Sequence, residues 1–362
     1  MAKLSEITKK VEKEFGRGTF VAGNTLPPDF SRIPTGIFAV DWFSGGGIPV
    51  GVSSSLWGGA GAGKSVLTNR IMAGAQNICW NCFEYLWDCK CKKKRPQKVL
   101  LLPIEGMDST FASQMGVDMD ELIVAETSIG EEAVDVIVGC LKADDIGLIV
   151  LDSLAMLTPQ DEMNGSAFDN TMALQARLIS SMMRKIKTSL VRERKKGHPV
   201  AFLATNQIRA KIGGFGHIKE DVPGGNVAKH DWHLTLRMSQ LKSAYMDAET
   251  ELPLYTRFKA SNVAMGNKRK CFTIAGAAEY YIVTSPNAEY KVGTIYDEKV
   301  VLSYLDRAGL LQRKPTWKVS FMPEEFKTKA EMIDAWNDLH YFLSVKKKLV
   351  QHFVDQVKAD MG

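Results

Sequence analysis

The stretch GGAGAGKS at residues 58–65 decides the fold. It matches the pattern G-x-x-x-x-G-K-[ST], in which glycines let the backbone curl so that successive N–H groups face phosphate oxygens. The apolar run SSSLW precedes it, and the helical stretch VLTNRIMAGAQ follows it. A glycine loop that matched by chance would not be expected between a strand and a helix, so the sequence predicts a site for ATP or GTP.

This loop supplies the predicted ligands of the nucleotide and its Mg²⁺. Lys64 is expected to reach the β- and γ-phosphates, and the Ser65 hydroxyl to bind Mg²⁺. The helix N-terminus that begins here reinforces the attraction for phosphate. The predicted nucleotide-binding residues of the loop are Gly58, Gly59, Ala60, Gly61, Ala62, Gly63, Lys64 and Ser65.

Two acidic residues end apolar runs elsewhere in the chain. Asp152 ends GLIVLD, where it would lie beside the loop and bind Mg²⁺, although it could also cap the turn that begins at Ser153. Glu105 ends KVLLLPIE, where it could be the general base that activates water, or could cap a helix beginning near Asp108. The pattern alone leaves both alternatives for Glu105 open.

Short apolar runs alternate with helical patterns between residues 33 and 284, which predicts an α/β fold with a mostly parallel, twisted sheet. Runs such as LIVLD and VAFLAT lack polar alternation, as expected of strands that are buried on both faces. The predicted strands are Val52–Trp57, Lys98–Ile104, Gly147–Asp152, Val200–Thr205, His233–Met238, Thr256–Lys259 and Cys271–Ile274.

The 362 residues divide into three predicted parts. Residues 1–32 form a helix and an extended segment, residues 33–284 the large core, and residues 285–362 a smaller, mainly helical domain. A net charge of +5 is only a weak indication of a polyanionic partner. No run approaches the ~18 apolar residues that a membrane span requires. The first residues also lack the apolar core of a secretory signal, so we expect a cytoplasmic location and no membrane partner.

A cysteine-rich, basic insertion occupies residues 77–97, NICWNCFEYLWDCKCKKKRPQ. Cys79, Cys82, Cys89 and Cys91 could together bind Zn²⁺ tetrahedrally. The two-residue spacing of the first pair favours zinc, whereas the one-residue spacing of the second pair is less usual. Reduced thiols in a surface hairpin are the alternative. With its run of lysines, the insertion is also a candidate contact for DNA or another partner.

Several longer motifs occur along the chain. They are VEKEFGRGTF at 11–20, IPTGIFAVDWFSGGGIPVG at 33–51, MGVDMDELIVAE at 115–126, IVLDSLAMLTPQDEMNG at 149–165, TNQIRAKIG at 205–213, GGNVAKHDWHLTLR at 224–237 and YLDRAGLL at 304–311. In order and spacing they resemble the bacterial RecA family over nearly the whole chain. The resemblance implies a RecA-like P-loop NTPase core, an N-terminal filament helix and a small C-terminal α+β domain.

The resemblance also implies roles for single residues in a DNA-dependent ATPase that forms filaments with ATP between protomers. Glu105 matches the catalytic glutamate of the family, which acts with Lys64. Gln207 matches the glutamine that senses the γ-phosphate and passes that information to a DNA-binding loop. Asp152 matches the metal-linked aspartate, and the remaining nucleotide contacts implied are Asp108 and Phe111, the aromatic that stacks on adenine.

Two segments resemble the DNA-binding loops of the family: residues 160–171, continued by Met172 and Arg177, and residues 208–223, closed by Gly224, Gly225 and Asn226. Cationic side chains and N–H groups suit phosphate contacts, and apolar side chains suit the spacing of bases. For Met172 alone, a place in the apolar core is the alternative. The predicted DNA-binding residues are Met172, Arg177, Arg209, Lys211, Phe215, Gly224, Gly225 and Asn226.

The chain departs from the family where two lysines would cross to the ATP of a neighbouring protomer. Asn262 and Ala264 occupy those positions, so Lys259, Lys268 or Arg269 would have to supply the cation. These departures indicate a divergent member of the family, with a virus as one candidate source.

The predicted function is an ATP-dependent recombinase that forms helical filaments on single-stranded DNA and exchanges strands with double-stranded DNA, using ATP and Mg²⁺. One alternative is a hexameric helicase or motor of the same fold, although the match to the filament helix favours open helical assembly. The other is a recombination mediator that binds DNA with ATP but does not hydrolyse it.

Overall fold

A computed structural model describes residues 4–15, 20, 30–165, 172–210, 220–221, 231–246, 253–263, 271–274, 276–283 and 291–361. Strands in these residues form one large sheet and three small ones. The strands are β1 (Arg32–Ile33), β2 (Ile48–Pro49), β3 (Ser53–Gly58), β4 (Lys98–Pro103), β5 (Leu122–Val124), β6 (Ile146–Asp152), β7 (Ala201–Gln207), β8 (Arg209–Ala210), β9 (Glu220–Asp221), β10 (Leu234–Met246), β11 (Pro253–Asn262), β12 (Ala277–Val283), β13 (Leu311–Gln312), β14 (Trp317–Val319) and β15 (Glu325–Phe326).

The described residues also form ten α-helices, some of which cover the two faces of the large sheet. They are α1 (Leu4–Phe15), α2 (Phe38–Ser44), α3 (Lys64–Gln76), α4 (Ser109–Gln114), α5 (Gly130–Cys140), α6 (Gln160–Asn164), α7 (Met172–Lys195), α8 (Glu298–Arg307), α9 (Lys329–Ala335) and α10 (Leu339–Met361). One apolar cluster joins the sheet to α2 and α3, and a second joins its other face to α5 and α7. Because helices cover both faces, the sequences of the central strands are unbroken apolar runs.

The large sheet has the order β12-β11-β10-β3-β7-β6-β4-β5. From β5 to β10 each strand is parallel to its neighbours, whereas β11 and β12 are antiparallel additions. In register, Gly58 lies opposite Gln207 and Pro103 opposite Asp152. The ends of four neighbouring strands, β3, β7, β6 and β4, therefore meet at one edge of the sheet.

The predicted α/β fold with a mostly parallel sheet is confirmed. Six of the seven predicted strands correspond to β3, β4, β6, β7, β10 and β11, of which the last two extend further than predicted. The prediction of a strand at Cys271–Ile274 was wrong. The Ile274 N–H donates to Phe43 O on α2, and the apolar side chains of this segment pack on the C-terminal core instead of on β11.

Two strands of the large sheet were not predicted, because neither has the long apolar run of a buried strand. β5 has three residues and lies at the edge of the sheet, partly exposed. β12 alternates between exposed and buried positions because it is the other edge strand. Its Tyr280 ring is buried and stacks on Phe258 of β11.

A third apolar cluster is formed mainly by C-terminal residues and also includes Phe38 of α2. Helices α8, α9 and α10 pack against the small sheet β13-β14-β15. A buried ion pair ties this part to the large core: Lys346 Nζ lies 3.3 Å from Asp297 Oδ2 and donates to Gly36 O at 2.6 Å. Asp297 also accepts a hydrogen bond from the Phe38 N–H at 2.8 Å, so both buried charged groups have hydrogen-bond partners.

The insertion at residues 77–97 is a compact hairpin between α3 and β4. Ile78 and Tyr85 pair in an antiparallel bridge, and the Trp80 N–H donates to Arg95 O at 2.9 Å. Trp80 lies against Gly147 of β6, where a Cβ atom would come within 2.3 Å of the indole ring. The hairpin is therefore packed onto the core rather than extended into solvent.

Candidate nucleotide-binding site

The loop at 58–65 links the end of β3 to the start of α3. Gly61 and Gly63 have φ angles of 68° and 85°, a left-handed backbone that side chains disfavour. A Cβ atom on Gly63 would also come within 2.5 Å of the Phe258 ring. Gly63 is the N-cap of α3, so the first N–H groups of the helix open toward the loop. This backbone forms the concave, N–H-lined cradle that phosphate requires.

Lys64 closes the loop upon itself. Its Nζ donates to the carbonyl oxygens of Gly58 at 3.0 Å and Gly59 at 2.9 Å. The ammonium group is therefore held at the mouth of the cradle, where a phosphate oxygen could replace a carbonyl as its partner.

Asp152 ends β6 beside this loop, with its carboxylate largely buried. It accepts a hydrogen bond from Thr205 Oγ1 of β7. Burial raises the pKa of Asp152, and the nearby charge of Glu105 acts in the same direction. A cation beside the carboxylate would restore its ionised form, which fits a metal-binding role better than the alternative of a helix cap. The following short turn is not capped by the Asp152 side chain in the described structure.

Glu105 follows β4 and lies at the same edge, exposed to solvent. Its Oε1 accepts from Gln207 Nε2 at 3.0 Å and from Ser153 Oγ. The helix-capping alternative does not describe its position, because Asp108 caps α4 by accepting from the Phe111 N–H at 2.9 Å. Glu105 is instead held by residues from the ends of β6 and β7.

A cleft at the carboxyl edge brings several predicted ligands together. Ser65, Asp108, Phe111 and Asp152 all line it, together with the buried hydroxyl of Thr68. Thr68 Oγ1 has no hydrogen-bond partner among the described residues. Hydroxyl and carboxylate oxygens are the ligands that Mg²⁺ prefers, so Ser65 and Asp152 fit this ion, and the glycine cradle fits a triphosphate.

The predicted DNA-binding residues are described only in part. Arg177 is an exposed residue of α7, whose first residue is Met172. Gln175 of the same helix donates to Ala155 O at 3.0 Å, which ties α7 to the segment after β6. The side chains of Met172 and Arg209, and all of Lys211, Phe215, Gly224, Gly225 and Asn226, lie outside the described residues.

The second predicted DNA-binding loop begins directly after Gln207. Residues 209–210 at its start and 220–221 near its end form the two-stranded ribbon β8-β9, in which Arg209 lies opposite Asp221 and Ala210 opposite Glu220. The Ile208 N–H donates to Gly58 O at 3.3 Å. The start of this loop is thus joined by backbone to the phosphate loop as well as by the Gln207 side chain to Glu105.

Asn262, at one of the two positions where the family has lysine, ends β11. Its Nδ2 donates to Thr273 Oγ1 at 3.3 Å. Lys259 lies in the same strand and is partly buried. Ala264, Lys268 and Arg269 lie outside the described residues.

The sequence did not predict three residues that position the site: Ser153, Thr205 and Gln175. Ser153 and Thr205 each adjoin a predicted strand end, and a polar residue at the carboxyl edge of a parallel sheet is a usable signal. Gln175 carries no such signal, because its partners are backbone carbonyls reached only through the tertiary fold.

The four cysteines of the hairpin converge, and their sulfur atoms all lie within 4.8 Å of one another. This arrangement offers a metal ion four soft ligands. Among the residues that the structure describes, no helix has both the length and the apolar character needed to cross a bilayer.

A glycine loop between a central parallel strand and a helix, with acids at the neighbouring strand ends, places the chain among P-loop proteins of the α/β class. The family model for the RecA N-terminal domain matches residues 2–263. The chain belongs to the RecA family.

Relatives named Protein RecA extend the match beyond that model. The protein of Campylobacter fetus is 29% identical over 357 residues, which cover 98% of this chain and 91% of the relative. The protein of Campylobacter hominis is 30% identical over 84% of this chain and 80% of its own length. The protein of Nitratiruptor is 31% identical over 83% and 80%.

Proposed function

We propose that this protein is an ATP-dependent DNA recombinase that assembles as a helical filament on single-stranded DNA and exchanges strands with double-stranded DNA. One observation carries the proposal: Gln207, which directly precedes the candidate DNA loop, donates its side-chain N–H to Glu105, the candidate general base. A contact between these two residues gives the nucleotide site a direct means of affecting the loop. Membership of the RecA family supports the same function.

In this proposal the chain's own residues bind and orient the nucleotide. The loop N–H groups and Lys64 would hold the phosphates, and Ser65 and Asp152 would hold Mg²⁺. Asp108 and Phe111, which line the same cleft, would contact the nucleoside. ATP supplies the phosphoryl group, and Mg²⁺ neutralises its charge. Glu105 accepts the proton of the attacking water.

Gln207 connects this chemistry to DNA. When a γ-phosphate enters the cradle, the Gln207 amide exchanges its bond to Glu105 for one to phosphate. That exchange would shift the segment from Ile208 onward, because this segment follows Gln207 directly in the chain and enters β8 at Arg209. Cationic side chains would then contact DNA phosphates: Arg177, Arg209 and Lys211. The apolar side chains of Met172 and Phe215 would space the bases. Further N–H groups for the phosphates would come from Gly224, Gly225 and Asn226.

The same proposal includes the assembly of the protein. The amphipathic helix α1 exposes Leu4 and Ile7, which suits packing on a neighbouring protomer. Residues 1–32 would mediate assembly, residues 33–284 would form the ATPase, and residues 285–362 would have an accessory role. We propose that the protein acts in the cytoplasm. Self-assembly through a helix on one side of the protomer is compatible with an open filament.

The test is phosphate release from ATP with and without single-stranded DNA. We expect stimulation by DNA in the wild type and loss of hydrolysis in Glu105→Gln, with ATP-dependent DNA binding retained. Glu121→Gln, an exposed carboxylate just before β5, is the matched control and should keep full activity. Undiminished turnover in Glu105→Gln would remove Glu105 from the mechanism.

Two other outcomes would favour the alternative functions. ATP-dependent DNA binding without any phosphate release would indicate a non-hydrolysing mediator. Closed rings in electron micrographs of the DNA complex would indicate a hexameric motor. Helical filaments with stimulated hydrolysis are expected.

A further inference from the structure

The four hairpin cysteines have the geometry of a tetrahedral thiolate site. A Zn–S bond of about 2.3 Å places tetrahedral sulfurs about 3.8 Å apart. Cys82 Sγ and Cys89 Sγ are 3.6 Å apart, and no pair among the four exceeds 4.8 Å. All four sulfurs can therefore reach one central ion.

Disulfide pairing does not describe this cluster equally well. A disulfide joins two sulfurs at about 2.05 Å. Two separate disulfides would not explain why all four sulfurs lie close together. No cysteine of the described structure is joined in a disulfide. Cys79 is fully buried, and Cys89 is 9% exposed, so the cluster is partly shielded from solvent thiols.

Backbone geometry directs N–H groups at the sulfurs. The Arg95 N–H donates to Cys79 Sγ at 3.3 Å and the Cys91 N–H to Cys89 Sγ at 3.4 Å. Phe83, which follows the Cys79–Cys82 turn, has a φ of 59°, a conformation that a side chain of this size disfavours. A bound ion would compensate for that conformation, and N–H groups that point at sulfur suit thiolates better than thiols.

The local charge also fits. Four thiolates around Zn²⁺ carry a net charge of about −2. The second cysteine pair is surrounded in sequence by Lys90, Lys92, Lys93, Lys94 and Arg95. Lys94 Nζ turns back to donate to Leu86 O of the hairpin at 2.6 Å. The basic run therefore lies next to the cysteines in sequence, and at least one of its lysines folds back onto the hairpin.

The cluster lies at the point where the hairpin meets the C-terminal helix α10. Trp87 donates to Ser344 Oγ at 2.9 Å, and its ring stacks on His340 with centroids 4.0 Å apart. Ser344 donates to Asp88 Oδ2, next to Cys89. Lys347 pairs with Glu84, two residues after Cys82. Each of these contacts depends on the shape of the chain between the two cysteine pairs.

We propose that Cys79, Cys82, Cys89 and Cys91 hold one Zn²⁺, and that this ion keeps the hairpin in the shape that fastens α10 to the ATPase core. The site is structural, because four protein sulfurs complete the tetrahedron and leave no position for water or substrate. It is independent of the nucleotide site, which lies at the opposite end of α3.

The first test is the metal content of the reduced full-length chain, purified without chelators. We expect one zinc per chain in the wild type and in Cys140→Ser, whose cysteine lies on α5 away from the cluster. We expect no zinc in the double variant Cys82→Ser/Cys91→Ser. Zinc retained by the double variant, iron in place of zinc, or a metal-free chain with disulfides in the hairpin would each overturn the proposal.

A second measurement covers the case in which the double variant does not fold. Wild-type protein stripped of metal under reducing conditions is titrated with Co²⁺. We expect a strong thiolate-to-cobalt charge-transfer band and intense visible bands of tetrahedral Co²⁺ that saturate at one equivalent and disappear when Zn²⁺ is added. Weak bands of octahedral Co²⁺, or no bands, would contradict a four-sulfur site.

The fastening of α10 is tested by hydrogen exchange before and after a strong chelator removes the metal. We expect faster exchange in the hairpin and in the first three turns of α10, unchanged exchange in α5, and recovery when Zn²⁺ is restored. If the hairpin exchanges faster while α10 stays protected, the ion does not fasten this helix and that half of the proposal fails.

Discussion

The two ends of α3 carry the two candidate sites of this protein, and they are built in different ways. At the N-terminus, the loop at 58–65 makes its site from backbone N–H groups and the positive end of the helix. At the C-terminus, the hairpin at 77–97 makes its site from four side-chain sulfurs. Hairpin side chains also donate hydrogen bonds to carbonyls in the last turn of the helix. Asn77 Nδ2 donates to Ala73 O at 2.8 Å, and Trp80 Nε1 donates to Ala75 O at 3.3 Å.

This difference shows that the two sites should respond to mutation differently. In the phosphate loop, truncating the Lys64 side chain should alter function without loss of stability, whereas alanine at the positive-φ glycines should strain the backbone and lower stability as well. The hairpin depends on packing against β6 and α10, so single changes there should alter stability while the phosphate loop keeps its shape. Four predictions test this separation.

Trp80→Ala should have the largest effect. The Trp80 side chain is only 4% exposed and fills the space left by Gly147. Truncating a buried aromatic of this kind costs about 3–5 kcal/mol of unfolding free energy. Urea denaturation measures the change, and Trp317→Ala, at a partly exposed tryptophan of β14, is the control that should cost clearly less. Equal losses would show that the hairpin is not packed as described.

Lys64→Ala should lower ATP turnover by about 10²–10³-fold, because it removes one preorganised cation from the phosphates. Phosphate release measures it. The unfolding free energy and the zinc content should not change, because Lys64 bonds only to loop carbonyls among its described contacts. Loss of zinc together with activity would contradict the independence of the two ends of α3.

Gly63→Ala and Gly61→Ala form a matched pair within the phosphate loop. Both residues have positive φ, so each alanine should cost about 1–2 kcal/mol from backbone strain. A Cβ on Gly63 would lie 2.5 Å from the Phe258 ring, whereas a Cβ on Gly61 would have no neighbour closer than 3.7 Å. Overpacking should therefore add about 1–3 kcal/mol at Gly63 alone. Similar thermal unfolding of the two variants would mean that Phe258 moves aside without cost.

Lys347→Ala should have the smallest effect. Its partner Glu84 is half exposed, at 50%, and exposed ion pairs contribute about 0–1 kcal/mol. Trp87→Ala is the comparison, since it removes the stacking on His340 and the bond to Ser344. Urea denaturation of both variants ranks the contacts, and a larger loss in Lys347→Ala would show that charge rather than stacking joins the hairpin to α10.

That the candidate nucleotide-binding residues follow neighbouring strands could be predicted from the sequence, because the signals are local. The loop at 58–65, Asp152 and Glu105 are each marked by an adjoining apolar run, and parallel strands bring such run ends to one edge. Ser153 and Thr205 also adjoin those strands but were not predicted, because a hydroxyl there has many structural explanations. The contact of Gln207 with Glu105 joins residues that are 102 positions apart, so no local pattern could indicate it.

The edge strands show the same limit in the fold. The run CFTI at 271–274 reads as a strand, yet it passes over α2, while the alternating AAEYYIV at 277–283 forms β12. An apolar run indicates burial but not the surface that buries it.

By itself the sequence determined that the chain is a P-loop protein with a mostly parallel sheet, where the phosphate loop lies and which acids flank it. It did so because glycine backbone freedom and strand burial are properties of short segments. Only the tertiary structure decided that Gln207 contacts Glu105, that four cysteines with uneven spacing meet within 4.8 Å, and that their hairpin docks on α10. Those contacts join distant parts of the chain, and their geometry exists only once the core between them has packed.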